Sequence, residues 1–195
     1  TAATFSGPNG MVRDSLGNLY VADGDNHVIR KIDPTTGAVT TFAGTMASSG
    51  NVNATGTAAK FNRPCGLAID AQNNVYVADA SNNVIRMITP AGVVTTVAGT
   101  GTAGSANGSA TAATFNSPTD VAITPSGVIY VADQVNHVIR KIENGQVTTI
   151  AGLAGTSGNV DGTGTAARFN QPSWLSLAAD GTLLIRDGAN NGNIR

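Results

Sequence analysis

Three features of the chain predict an all-β fold, a β-propeller built of four-stranded antiparallel blades. The segment Thr-Ala-Ala-x-Phe-x-x-Pro occurs four times, at residues 1–8, 57–64, 111–118 and 165–172, in steps of 56, 54 and 54 residues. Each interval holds four short apolar runs divided by Asn, Gly and Pro, the pattern of strands joined by tight turns. No stretch sustains an apolar period of 3.6 residues for three turns, which excludes long helices. A repeat of this size buries too little surface alone, so neighbouring repeats must stack face to face.

The second repeat displays the elements in order. Leu67-Ala68-Ile69 begins the innermost strand, Val75-Tyr76-Val77-Ala78-Asp79 is the second, Val84-Ile85-Arg86-Met87-Ile88 the third, and Val93-Val94-Thr95-Thr96-Val97-Ala98 the outermost. All are rich in β-branched or aromatic residues. The turns are Gln72-Asn73-Asn74, Ser81-Asn82-Asn83 and Pro90-Ala91-Gly92. The Thr-Ala-Ala segment has room for one helical turn, which its Thr would cap. Phe5, Phe61, Phe115 and Phe169, with the Pro three residues on, fall where the chain crosses between blades and are expected as core and corner residues.

Aligning on this segment sets further columns in register. Tyr20, Tyr76 and Tyr130 coincide, with Leu184 in the fourth copy, followed by Asp23, Asp79, Asp133 and Asp187. Arg30, Arg86 and Arg140 each follow their Asp by seven residues, while Arg195 lags by one. The blades are therefore residues 1–56, 57–110, 111–164 and an incomplete 165–195, which stops within its third strand. In each Asp–Arg pair the carboxylate is expected to accept backbone N–H groups of the intervening turn and to meet the guanidinium on the next strand. These residues read as structural, because function rarely needs the same residue in every blade.

Asn26-His27-Val28-Ile29-Arg30-Lys31-Ile32 and Asn136-His137-Val138-Ile139-Arg140-Lys141-Ile142 resemble the segment that names the NHL-repeat family. Asn73-Asn74-Val75-Tyr76-Val77-Ala78-Asp79 and Val93-Val94-Thr95-Thr96-Val97-Ala98-Gly99 resemble its other strands. The resemblance spans the chain and implies a propeller, six-bladed in that family. It does not choose a function, since NHL propellers serve as receptor ectodomains, RNA-binding platforms, lyases and scaffolds. The incomplete fourth repeat and the absence of an initiating Met before Met11 lead to the expectation of a larger parent propeller. Failing that, other protein chains would cover its open faces.

Composition narrows the classes. Eleven Lys and Arg against twelve Asp and Glu leave a net charge of −1, and aromatic residues are 5% of the chain, which speaks against nucleic-acid binding. No apolar run approaches the roughly 18 residues of a membrane helix, so membrane insertion is not expected. Cys65 is the single cysteine, which excludes an internal disulfide and a Cys-based zinc cluster. It shares a column with Asn9, Thr119 and Ser173 and reads as an inert buried thiol. His27 and His137 share a column with Asn83, which suggests an exchangeable turn residue, not a metal ligand. Phosphate-loop, HExxH, GxSxG and CxxC patterns are absent. No catalytic residue, metal ligand or cofactor is assigned.

Candidate binding residues are those that break the column rules. Arg13 stands where Ile69 and Ile123 stand, Asp120 and Trp174 where Gly10 and Gly66 stand, and Arg186 where the other blades have Ala. First strands line a propeller's channel, so Arg13, Asp120 and Trp174 are expected at its mouth, a contact set for a small ligand or peptide. The connectors at residues 45–56, 100–110 and 153–164 are almost wholly Gly, Ala, Ser, Thr and Asn and read as spacers. Two carry sequons in matching places, Asn53-Ala54-Thr55 and Asn107-Gly108-Ser109, with Asp161 in the third. Asn53 and Asn107 are candidate glycan acceptors. The sequence thus favours a non-enzymatic module of an extracellular or surface protein, a scaffold or a protein- or glycan-binding platform. The alternative is part of a propeller enzyme, of lyase or hydrolase type, whose catalytic residues lie in further blades.

Overall fold

A computed structural model describes residues 3–188 and 192–195. The first blade is β1 (Pro8–Arg13), β2 (Leu19–Asp23), β3 (Val28–Ile32) and β4 (Val39–Ala43); the second is β5 (Pro64–Ile69), β6 (Val75–Asp79), β7 (Val84–Ile88) and β8 (Val94–Ala98). After a two-residue strand β9 (Gly108–Ser109), the third blade is β10 (Pro118–Ile123), β11 (Ile129–Asp133), β12 (Val138–Glu143) and β13 (Gln146–Ala151). The fourth is β14 (Trp174–Leu177), β15 (Leu183–Asp187) and β16 (Asn193–Ile194). Each sheet is an antiparallel meander in chain order, and β9 adds an edge to β13. The sheets are the blades of a propeller, with β1, β5, β10 and β14 innermost and packed in that order.

Alternation along the strands builds the core. In the second blade Leu67, Val75, Val77 and Ile88 face back to Tyr20, Ala22 and Ile29 of the first. Ala68, Ala78, Ile85 and Ala98 face forward to Phe115, Val121, Val131 and Ile142 of the third. Between the second and third blades, large residues on one face thus meet mostly small ones on the other, which allows close interdigitation. At the start of the inner strands the approach is closer still. A Cβ on Gly66 would lie 2.6 Å from the Asp120 Cα, and one on Gly10 would lie 2.7 Å from the Leu67 amide nitrogen.

Three sequence expectations need refinement. The helical turn is a 3₁₀ turn, Gly56–Ala58, and its fourth-blade counterpart is Gly164–Ala166; neither has a side-chain cap. The turn starts at Gly56, whose φ is +56°, so Thr57 lies inside it and cannot cap. The Asp column takes its backbone donor from the crossover and not from its own turn: the Asp79 Oδ1 accepts the Asn62 N–H, 17 residues earlier, and the turn supplies only the Asn82 side-chain amide, to Oδ2. The connectors also do more than space the blades, because they close the arginine sockets described next.

Candidate functional site

Each conserved column has a contact to make. The Arg86 guanidinium is fully buried, with Nη1 donating to the Asp79 Oδ2 at 3.0 Å and its carbon 5.2 Å from the Phe61 ring centre. It also donates to the Asn51 and Asn53 side chains and to the Val52 and Lys60 carbonyls. Arg140 repeats this with Asp133, Asn107, Ala106 O, Thr114 O and Phe115. Arg30 bonds to Asp23 and stacks over Phe5. Arg195, one residue late in sequence, still reaches Asp187, Asp161 and the Phe169 ring. The matching places of Asn53, Asn107 and Asp161 thus have a structural cause: each is an acceptor in the socket of the following blade. Burial pushes the Asp79 carboxyl up, to about 6, against the pull of Asn62, Asn82 and Arg86.

The histidine column joins consecutive blades. His27 and His137 sit at φ 60°, and the Nδ1 of each accepts the backbone N–H of Arg63 or Gln171, the residue preceding the next inner-strand corner proline. The Asn83 Oδ1 does the same for Ser117. That interchange explains the shared column, and it ties both histidines to blade stacking.

The inner-strand starts enclose a cavity of about 890 Å³. Asp120, Trp174 and Arg186 all line it, alongside Asn9, Cys65, Thr119 and Ser173 from one small polar column. Arg13 is not brought to this site; it is exposed at the far end of β1, opposite Leu19. Gln134 also lines the cavity. Its signal was present in the sequence, since it stands where Gly24, Ala80 and Gly188 stand.

The lining residues differ in how free they are. Asp120 is buried at 6% exposure, with Oδ1 accepting its neighbour Val121 N–H and Oδ2 accepting Leu175 N–H across the gap to the fourth blade at 2.7 Å. Burial raises its carboxyl to about 7, the two N–H donors pulling the other way. Cys65 is half-buried, not fully enclosed, and burial raises its thiol, which keeps it a poor nucleophile. Trp174 is 46% exposed and Arg186 is exposed as well. The two are direct cross-strand partners on β14 and β15, while the next pair, Leu175 and Ile185, turns into the core.

The chain resembles known proteins in sequence and in fold. It is 42% identical to NHL repeat-containing protein 2 of Bos taurus over 79 residues, 40% of this chain and 11% of that relative. An auxiliary nutrient binding protein from Bacteroides thetaiotaomicron superposes with a TM-score of 0.75 at 20% identity, over 96% of this chain and 46% of the other. A gluconolactonase from Xanthomonas campestris superposes at 0.69 and 14% identity, over 98% and 58%. The chain thus spans only a small part of that relative and about half of these structures. Their likeness shows the fold, which binding proteins and enzymes share. The NHL repeat model matches residues 5–32, 61–86 and 115–142; with its stacked antiparallel sheets, the chain is a β-propeller module of NHL repeats.

Proposed function

We propose that this module is a non-enzymatic binding platform of an extracellular or surface protein, and that it takes its ligand in the cavity at the inner-strand starts. The observation that carries this reading is the Trp174–Arg186 pair. Two large side chains stand exposed at the cavity where the other blades use Gly and Ala in at least two of three copies. Exposed aromatic and Arg side chains at a concave surface are the usual anchors of recognition. The groups that would suggest catalysis are engaged elsewhere: both histidines and the Asp–Arg columns hold blades together. The low charge and the two sequons support an extracellular setting, and glycans on Asn53 and Asn107 would be read by mass spectrometry before and after glycosidase treatment of natively expressed protein.

Trp174 is the only tryptophan, so its fluorescence reports on this cavity alone. Titration with panels of oligosaccharides and peptides should give saturable changes for a ligand class, and Trp174→Phe or Arg186→Gln, followed by calorimetry, should weaken that binding at least tenfold. Ligands that bind equally well to both variants would refute this location. Asp120 favours a second reading, a propeller enzyme of lyase or hydrolase type, because a cavity-lining carboxyl raised to about 7 lies in the range of a general acid or base. Turnover abolished in Asp120→Asn would support that reading over the first.

A further inference from the structure

We infer that the cavity recognises a carboxylated sugar, such as a uronic-acid unit of a glycan chain, with the apolar face of its ring on Trp174 and its carboxylate on Arg186. This deepens the binding-platform reading and rests on it. The register places Trp174 directly opposite Arg186 in the β14–β15 pair, and such partners have Cβ atoms about 5 Å apart on one sheet face. An indole and a guanidinium so placed can meet the apolar face and the carboxylate of a single small ring. The planar guanidinium fork matches a carboxylate, and the indole presents a broad apolar surface to the ring's C–H groups.

The surrounding wall points the same way. Asn9, Thr119, Gln134 and Ser173 line it, which brings amides and hydroxyls from three blades within one cavity, suited to donate to and accept from sugar hydroxyls. Both oxygens of the lining Asp120 are taken by backbone N–H groups. Of the two charged side chains lining the cavity, Asp120 is buried and Arg186 is exposed, which favours an anionic ligand. A peptide would draw instead on an open strand edge or on regularly spaced side-chain pockets.

The test uses the whole 195-residue chain and three probes: trigalacturonate, its neutral counterpart galactotriose, and hexaglutamate. Trp174 fluorescence follows the parent protein, and calorimetry follows Trp174→Ala and Arg186→Gln, whose fold is checked by thermal melting. The expected result is saturable binding of trigalacturonate at least tenfold tighter than galactotriose. Arg186→Gln should abolish that preference, and Trp174→Ala should weaken both sugars. Equal affinity for the two trisaccharides, or a preference untouched by Arg186→Gln, overturns the inference. Hexaglutamate binding at Trp174 without trigalacturonate overturns the sugar class while leaving the binding platform standing. Silence of Trp174 toward all three probes overturns the carboxylated-sugar inference, and the binding platform is then decided by the wider panel.

Discussion

Replacing Arg86 with Met keeps most of the side chain's bulk and removes the guanidinium. That group is fully buried and donates to Asp79 at 3.0 Å, Asn51 at 3.1 Å, Asn53 at 2.6 Å, Val52 O at 3.0 Å and Lys60 O at 3.3 Å. Without it the Asp79 carboxylate keeps only Asn62 N–H and the Asn82 amide. Removing one member of a buried ion pair costs about 3–5 kcal/mol, because the other charge stays buried without compensation. Arg30→Met is the internal control. Among the described residues Arg30 makes two longer bonds, at 3.3 Å to Asp23 and 3.5 Å to Thr4 O, so its loss should cost about 1–2 kcal/mol less than that of Arg86. Urea unfolding with a shared slope gives both values. Adding Asp79→Asn to Arg86→Met should restore at least about 1 kcal/mol relative to additivity, since the stranded charge is gone. Equal losses in Arg86→Met and Arg30→Met, or a loss below about 1 kcal/mol for Arg86→Met, would refute the view that the closed socket ties each blade to the connector before it.

Three further outcomes follow from single contacts. Gly66→Ala places a methyl group 2.6 Å from the Asp120 Cα and should cost about 2–3 kcal/mol, whereas Gly37→Ala, at φ +67° with open space around it, should cost about 1 kcal/mol in the same urea assay. The folded-state carboxyl of Asp120, at about 7, lies above its unfolded value, so its contribution to stability is full below about pH 4 and lost as pH rises through 7. Asp120→Asn should flatten the stability–pH curve in that window by up to about 4 kcal/mol, and an unchanged curve would contradict the raised carboxyl. His137→Asn should stay within about 0.5 kcal/mol of the parent because Asn83 already fills the same role, while His137→Ala, which strands the Gln171 N–H, should cost about 1–2 kcal/mol; equal melting temperatures for the two variants would refute the interchange.

The sheets were legible because a strand and its turns are local, and steps of 56, 54 and 54 residues repeat every local signal in phase. What stayed hidden is contact across that period. Asn53 and Arg86 lie 33 residues apart, on either side of a repeat boundary, so an alignment of repeats marks Asn53 and Asn107 as a regular pair without revealing the arginine each one holds. Arg195 shows the converse. The sequence places it one residue out of step, yet it enters the same socket, because Asp187 pairs with Asn193, six residues on, where Asp79 pairs with Val84, five on.

The broken columns divide in the same physical way. Arg13 is three residues further along its strand than the Gly10 position, roughly 10 Å at the rise of a strand, and so leaves the cavity that Trp174 and Arg186 share. Asp120 breaks the glycine column and yet acquires a partner in the next blade, Leu175 N–H, which makes it part of the stacking between the third and fourth blades. Trp174 and Arg186 break their columns and remain exposed. A residue kept in every repeat answers to a contact every repeat makes, and a departure that finds such a contact is absorbed into the fold. Only a departure that stays open is available to a ligand, and on that criterion the binding proposal rests on the fourth blade's pair rather than on the buried acid beside it.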